Sequence, residues 1–177
     1  MTHVMVDLET WGRVPGAALR SIGAVVFHPH TGDIVSKFYR NVDDQSCADV
    51  GLHRDPETVA WWAGQSAAAQ GAFTTPEPIH IATAVSDFTT WWKEYDGEQI
   101  YGHGANFDPP LLEAAYTACL MDAPWKFWDV RCCRTILAMA NRKPDRRGGT
   151  HHNALDDAIA QAKAVAAAFR AGQFNPN

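Results

Sequence analysis

Four carboxylates and an imidazole fall in three short motifs along this chain: Asp7 and Glu9 in HVMVDLET, Asp108 in YGHGANFDPPLL, and His152 with Asp157 in HHNALDDA. Each motif lies at the end of an expected strand or the start of an expected helix, so a folded α/β domain can gather all five. Carboxylates brought together away from water repel one another strongly. Hard divalent cations relieve that repulsion, and magnesium prefers such oxygen ligands. Two such ions side by side can hydrolyse phosphodiesters.

Asp7 and Glu9 are two residues apart on an expected strand, so their side chains share one face while Leu8 points into the opposite layer. A D-x-E pair alone is often just solvated. This one sits inside an apolar strand, where an unpaired carboxylate is costly. Asp108 precedes Pro109 and Pro110 and stands where a helix N-cap would. Capping is its simplest role, and a carboxylate at a helix terminus can still face a metal. His152 and Asp157 are five residues apart, which on one helix would separate them by about 140°. His152 therefore precedes the helix, with Asn153 as the expected cap and Gly148 and Gly149 upstream to let the histidine swing. A histidine beside an attacking water can act as general base. His151 and Asp156 share the same spacing, so the residues alone leave two frames open.

The elements that must position these groups can be read from apolar patterning. Residues 3–8 form an apolar run suited to a central strand. Residues 21–27 and 33–42 read as two more strands around the turn HPHTG, completing an antiparallel meander. Asp55, Pro56 and Glu57 open a helix expected to continue through TVAWWAGQSAAAQ. Ile81, Val85, Phe88 and Trp92 recur at helical spacing within 78–95. Residues 98–103 read as a strand. Helices are expected from 108, over about 129–141, and over about 153–171. The result is an α/β class with one mixed sheet covered by helices, its site where loops converge at the carboxyl ends of strands.

Composition sets the outer bounds. The chain has 177 residues, 46% of them apolar and 20% charged, which suits one soluble globular domain over 1–177 with a frayed tail at 171–177. It has no apolar run of membrane-spanning length. Its N-terminus reads as a core strand, not an export signal, which makes the cytoplasm the expected compartment. The four cysteines form no C-x-x-C pair, which argues against a zinc site. A net charge of −5 argues against a protein that coats nucleic acid by bulk electrostatics. However, six of the fifteen basic residues (Arg131, Arg134, Arg142, Lys143, Arg146 and Arg147) lie between 131 and 147. That segment is either a solvated loop or a phosphate-contacting one.

Taken together, the motifs resemble the DEDD exonuclease superfamily in its branch with a histidine base (DEDDh). The pattern runs D-x-E, then F-D at a helix start, then H-x-A-x-x-D. It appears here as Asp7-Leu8-Glu9, Phe107-Asp108, and His152 to Asp157, with Ala154 favouring the His152–Asp157 frame. Within the superfamily the chain is most similar to small single-domain proteins of the RNase T-like and phage exonuclease type, through T-V-A-W-W-A-G-Q (58–65) and C-R-T-I-L (133–137). The resemblance implies an RNase H-like fold and stepwise 3′→5′ removal of nucleotides from single-stranded DNA or RNA ends. It implies two divalent cations, Mg2+ or Mn2+, on Asp7, Glu9, Asp108 and Asp157, with His152 taking a proton from water. It also admits a homodimer, as relatives often form one.

The resemblance points to Thr10 as a contact for the terminal nucleotide. His103-Gly104 stands where many relatives have His-Asn, with Asn106 near enough to substitute, and Cys132 stands where relatives often carry an acid. Of the adjacent Trp61 and Trp62, both pack the core or one faces a groove and stacks on a base. Trp11, beside the metal motif, is a candidate wedge against the terminal base. Arg146 and Arg147 are candidate phosphate contacts. Two other readings compete: an oligonucleotide phosphodiesterase using the same site, and a non-catalytic nucleic-acid binding module. The full set of carboxylates and histidine favours catalysis.

Overall fold

The structure, a computed structural model, describes residues 1–145 and 152–172. Its centre is a five-stranded sheet: β1 (His3–Thr10), β2 (Leu19–Phe27), β3 (Ile34–Asn41), β4 (Gln99–Gly102) and β5 (Val130–Cys132), in the order β3-β2-β1-β4-β5. The first three strands form the expected antiparallel meander, and β4 and β5 add in parallel. Every residue of β1 is buried, as a strand covered on both faces must be.

The helices are α1 (Asp44–Asp49), α2 (Pro56–Ala63), α3 (Ala67–Gly71), α4 (Ile81–Glu94), α5 (Asp108–Ala118), α6 (Cys133–Met139) and α7 (Ala154–Arg170). Strand alternation sorts the core into two layers. Val4, Val6 and Leu8 of β1 join Ile22, Ala24 and Phe38 and pack on Phe88 of α4 and Leu111 and Leu112 of α5. Met5, Val25, Phe27 and Tyr101 face the other way, onto Leu137 of α6 and Ala158, Ala162, Val165 and Phe169 of α7. Among the described residues no helix is long and apolar enough to cross a membrane.

Three details depart from the sequence reading. The helix expected from 55 through 70 is two: α2 ends at Ala63, and Ser66 starts α3 by accepting from the Ala69 N–H. A serine side chain competing for backbone donors readily restarts a helix. The segment expected as a helix over 129–141 opens instead with a 3₁₀ turn (Phe127–Asp129) and β5, whose pairing with Ile100–Gly102 of β4 overrides local preference. The short α1, capped by Asp43, has no counterpart in the sequence reading.

Helix α7 lies unusually close to the sheet at its first residues. Gly23 of β2, the register partner of Asp7, leaves room there: a Cβ on it would sit 2.2 Å from the carbonyl carbon of Ala154. Gly23→Ala must therefore push the start of α7 outward. We expect a loss of about 1–3 kcal/mol, the usual cost of overpacking, read by urea unfolding. A variant as stable as the parent would show that this contact does not set the helix position.

Candidate active site

Asp7 and Glu9 project from the carboxyl-terminal half of β1 on the α7 face, and Asp157 comes from the first turn of α7. All three are under a tenth exposed, and one carboxylate oxygen from each lies within 4.8 Å of the others. Asn153 caps α7 by accepting from the Leu155 and Asp156 N–H groups, so His152 precedes the helix, as its spacing requires.

Asp108 is the first residue of α5, and Phe107 holds the N-cap place expected for it. Its carboxylate has a different task. Strands β1 and β4 pair only from His3 to Met5, and beyond that they part. Asp108 enters the gap: Oδ1 accepts from Leu8 N at 3.2 Å and Oδ2 from His103 N at 2.8 Å. Gly102 makes room, since a Cβ there would lie 2.9 Å from Asp108 Oδ2. Asp108 is not in the 4.8 Å set, yet its charge is the largest of those acting on Asp7.

This packing is electrostatically costly. Burial first, then the charges of Asp108, Glu9 and Asp157, hold the Asp7 carboxyl well above the usual carboxylate range; the Gln161 amide pulls the other way. Burial pushes Asp108 up to about 7, opposed by its hydrogen bonds from backbone N–H groups and by nearby Arg134. Carboxylates so crowded and so dry are suited to hard divalent cations, which supply the missing positive charge.

A cleft of about 450 Å3 adjoins the cluster. Leu8, Glu9 and Thr10 form its floor, Trp61, Trp62 and Phe107 its aromatic wall, and Arg13, Glu57 and Thr58 its rim. The two tryptophans diverge as adjacent helical residues should: Trp62 is buried and Trp61 is 47% exposed. Trp62 donates from Nε1 to the Thr10 carbonyl at 2.9 Å. Both rings meet the His152 imidazole edge-to-face, with centroids 5.0 Å away for Trp61 and 5.8 Å for Trp62.

Other residues singled out from the sequence lie elsewhere. Trp11 is not in the cleft wall. It is buried between the guanidinium groups of Arg20 and Arg54, and its Nε1 donates to Asp44. The Thr10 hydroxyl donates to the Gly12 carbonyl. His103 takes part through its backbone, where its carbonyl accepts from Arg134 at 2.7 Å. Asn106 is exposed beside Gly104, and its neighbour Phe107 lines the cleft instead. Arg146, Arg147, Gly148, Gly149, His151 and most of the 171–177 tail lie outside the described residues.

Gln161, Gly23 and the cleft-lining role of Phe107 do not stand out from the sequence alone. Gln161 had a usable signal: it is the long polar residue one turn after Asp157 in a helix otherwise rich in alanine. Gly23 had none, because its role depends on where a helix distant in sequence comes to rest.

No match to a curated protein sequence was found. Among solved structures, the nuclease domain of 3′hExo, a DEDDh family member bound to rAMP, superposes with a TM-score of 0.62 at 12% identity, covering 97% of this chain and 92% of that one. Exonuclease X, in complex with 5′ overhanging duplex DNA, gives 0.61 at 18% identity, covering 98% and 94%. Exonuclease I gives 0.60 at 13% identity, covering 96% of this chain and 40% of that longer one. These likenesses establish the RNase H-like fold of DEDDh nucleases. The match to a family profile spans residues 2–169, and by it this chain belongs to the 3′-5′ exoribonuclease Rv2179c-like domain family.

Proposed function

We propose that this protein, acting as a single exonuclease domain, removes nucleotides one at a time from single-stranded 3′ ends, with RNA as its primary substrate, at the Asp7, Glu9, Asp108, Asp157 and His152 cluster. The observation that carries this reading is the meeting of three buried carboxylates within 4.8 Å beside a cleft with an exposed tryptophan. Asp7, Glu9 and Asp157 would hold a divalent cation, and Asp108 would contribute to a second. Bound Mg2+ or Mn2+ would polarise the phosphoryl oxygens, activate water and steady the leaving oxygen.

The chain's own groups supply the rest. The cleft volume is in the range of small-ligand sites, enough for the terminal nucleotide. Trp61 offers a face for its base, a contact that tolerates any sequence. His152, packed against Trp61 and Trp62 at the edge of this cleft, takes the proton of the attacking water. The new bond joins water oxygen to phosphorus, the bond to the 3′ oxygen of the preceding nucleotide breaks, and a nucleoside 5′-monophosphate leaves.

End-labelled single-stranded RNA and DNA, each incubated with Mg2+, Mn2+ or chelator, test this reading. We expect a ladder shortening from the 3′ end with either cation and none with chelator. Cleavage confined to dinucleotides, or undiminished in chelator, would overturn it.

A further inference from the structure

Helix α7 buries one long polar side chain completely. Gln161 is 0% exposed, one helical turn after Asp157 and on the same face. It reaches across to β1, where Nε2 donates to Asp7 Oδ1 at 2.6 Å. Its other end, Oε1, is buried with no hydrogen-bond partner among the described residues. A buried amide with one unsatisfied end adds little to folding, since an apolar side chain of the same length would fill the space without stranding a carbonyl. The end of the amide turned to Asp7 is the one that donates, and a carboxylate oxygen accepts it. The donated bond and the stranded carbonyl have one explanation if the amide acts on Asp7.

We infer that Gln161 is a positioning residue for the cation site. It fixes the rotation of the Asp7 carboxylate and ties β1 to the turn of α7 that carries Asp157, so that two carboxylates distant in sequence are held together by one side chain. The inference rests on reading Asp7 as a cation ligand. Hydrogen-bond partners that orient metal ligands typically control about 10–100-fold in metal affinity.

The test uses Gln161→Met, which keeps the length and loses the donor, and Gln161→Leu as a second apolar replacement. Each variant and the parent are melted in chelator, then titrated with Mn2+ while the free ion is followed by electron paramagnetic resonance. We expect metal-free melting temperatures at or above the parent's, Mn2+ binding weakened about 10–100-fold, and kcat returning toward the parent value at saturating Mn2+. Affinity within twofold of the parent, in whichever variant folds, would overturn the inference. Failure of both variants to fold would also overturn it, because the amide would then be structural. A parent that takes up no Mn2+ would defeat the cation reading of the whole cluster, a result distinct from either of these.

Discussion

Asp7→Asn is expected to lose on the order of 10³-fold in exonuclease rate, the scale set by removing a group that stabilises developing charge, while making the metal-free protein more stable. The two effects have one cause. Asp7 is buried among Asp108, Glu9 and Asp157, and burial plus those charges already oppose its ionisation. An asparagine keeps an oxygen able to accept from Gln161, removes one negative charge and relieves the other three. The pH dependence follows in sign. A carboxyl whose folded-state pKa lies above its unfolded value near 4 stabilises the fold when protonated and loses that contribution as pH rises. With Asp108 at about 7 and Asp7 raised as well, the metal-free parent should lose stability between about pH 4 and 7. The variant should lose less.

Melting curves in chelator across that range, repeated with Mn2+, make the check. Each kcal/mol gained shifts the melting temperature by about 2–4 °C for a domain of this size. Mn2+ should raise the parent's melting temperature markedly and the variant's little. A variant less stable than the parent without metal would mean the carboxylates are not in conflict. A variant that still cleaves at the parent rate would remove Asp7 from the reaction.

The parts of this site that were legible in the sequence are those whose geometry follows from one element. Asp7 and Glu9 share a face because a strand alternates, and His152 precedes α7 because five residues do not fit one helical face. The meander was legible because three apolar runs were separated by turn residues. What stayed hidden depends on contact between elements. Asp108 read as a cap, yet its oxygens complete the edge that β1 loses where β4 parts from it. Trp11 read as a wedge because it follows the D-x-E motif, but the β1–β2 register shifts between Glu9 and Thr10, and the next turn carries Trp11 onto Arg20 and Arg54. The β5 strand was masked by its helical neighbours, since three residues carry too little pattern to compete. Gly23 and Gln161 matter only because α7 settles onto the sheet at that point.

His152→Ala should lower kcat by about 10²–10⁴-fold, the usual contribution of a positioned base, with Mn2+ affinity unchanged. The structure holds this histidine by unusual means. Its backbone lies in the left-handed region, φ 62°, where few side chains other than glycine rest without strain. Its ring packs edge-to-face against both Trp61 and Trp62. Trp62 is itself fixed, by its bond to the Thr10 carbonyl and by the Arg20 guanidinium 4.3 Å over its ring. Arg20 also stacks on Trp11 and Phe73, so the buried aromatic cluster acts as a rigid wall behind the imidazole. A strained backbone braced this way fits a residue whose placement matters more than its contribution to stability. Removing the ring should therefore cost rate without cost to folding. Equal kcat in the variant would pass the proton-accepting role to another group, with His151 the first to test by the same substitution. A loss confined to KM would instead make His152 a substrate contact, with the base to be sought elsewhere in the cleft.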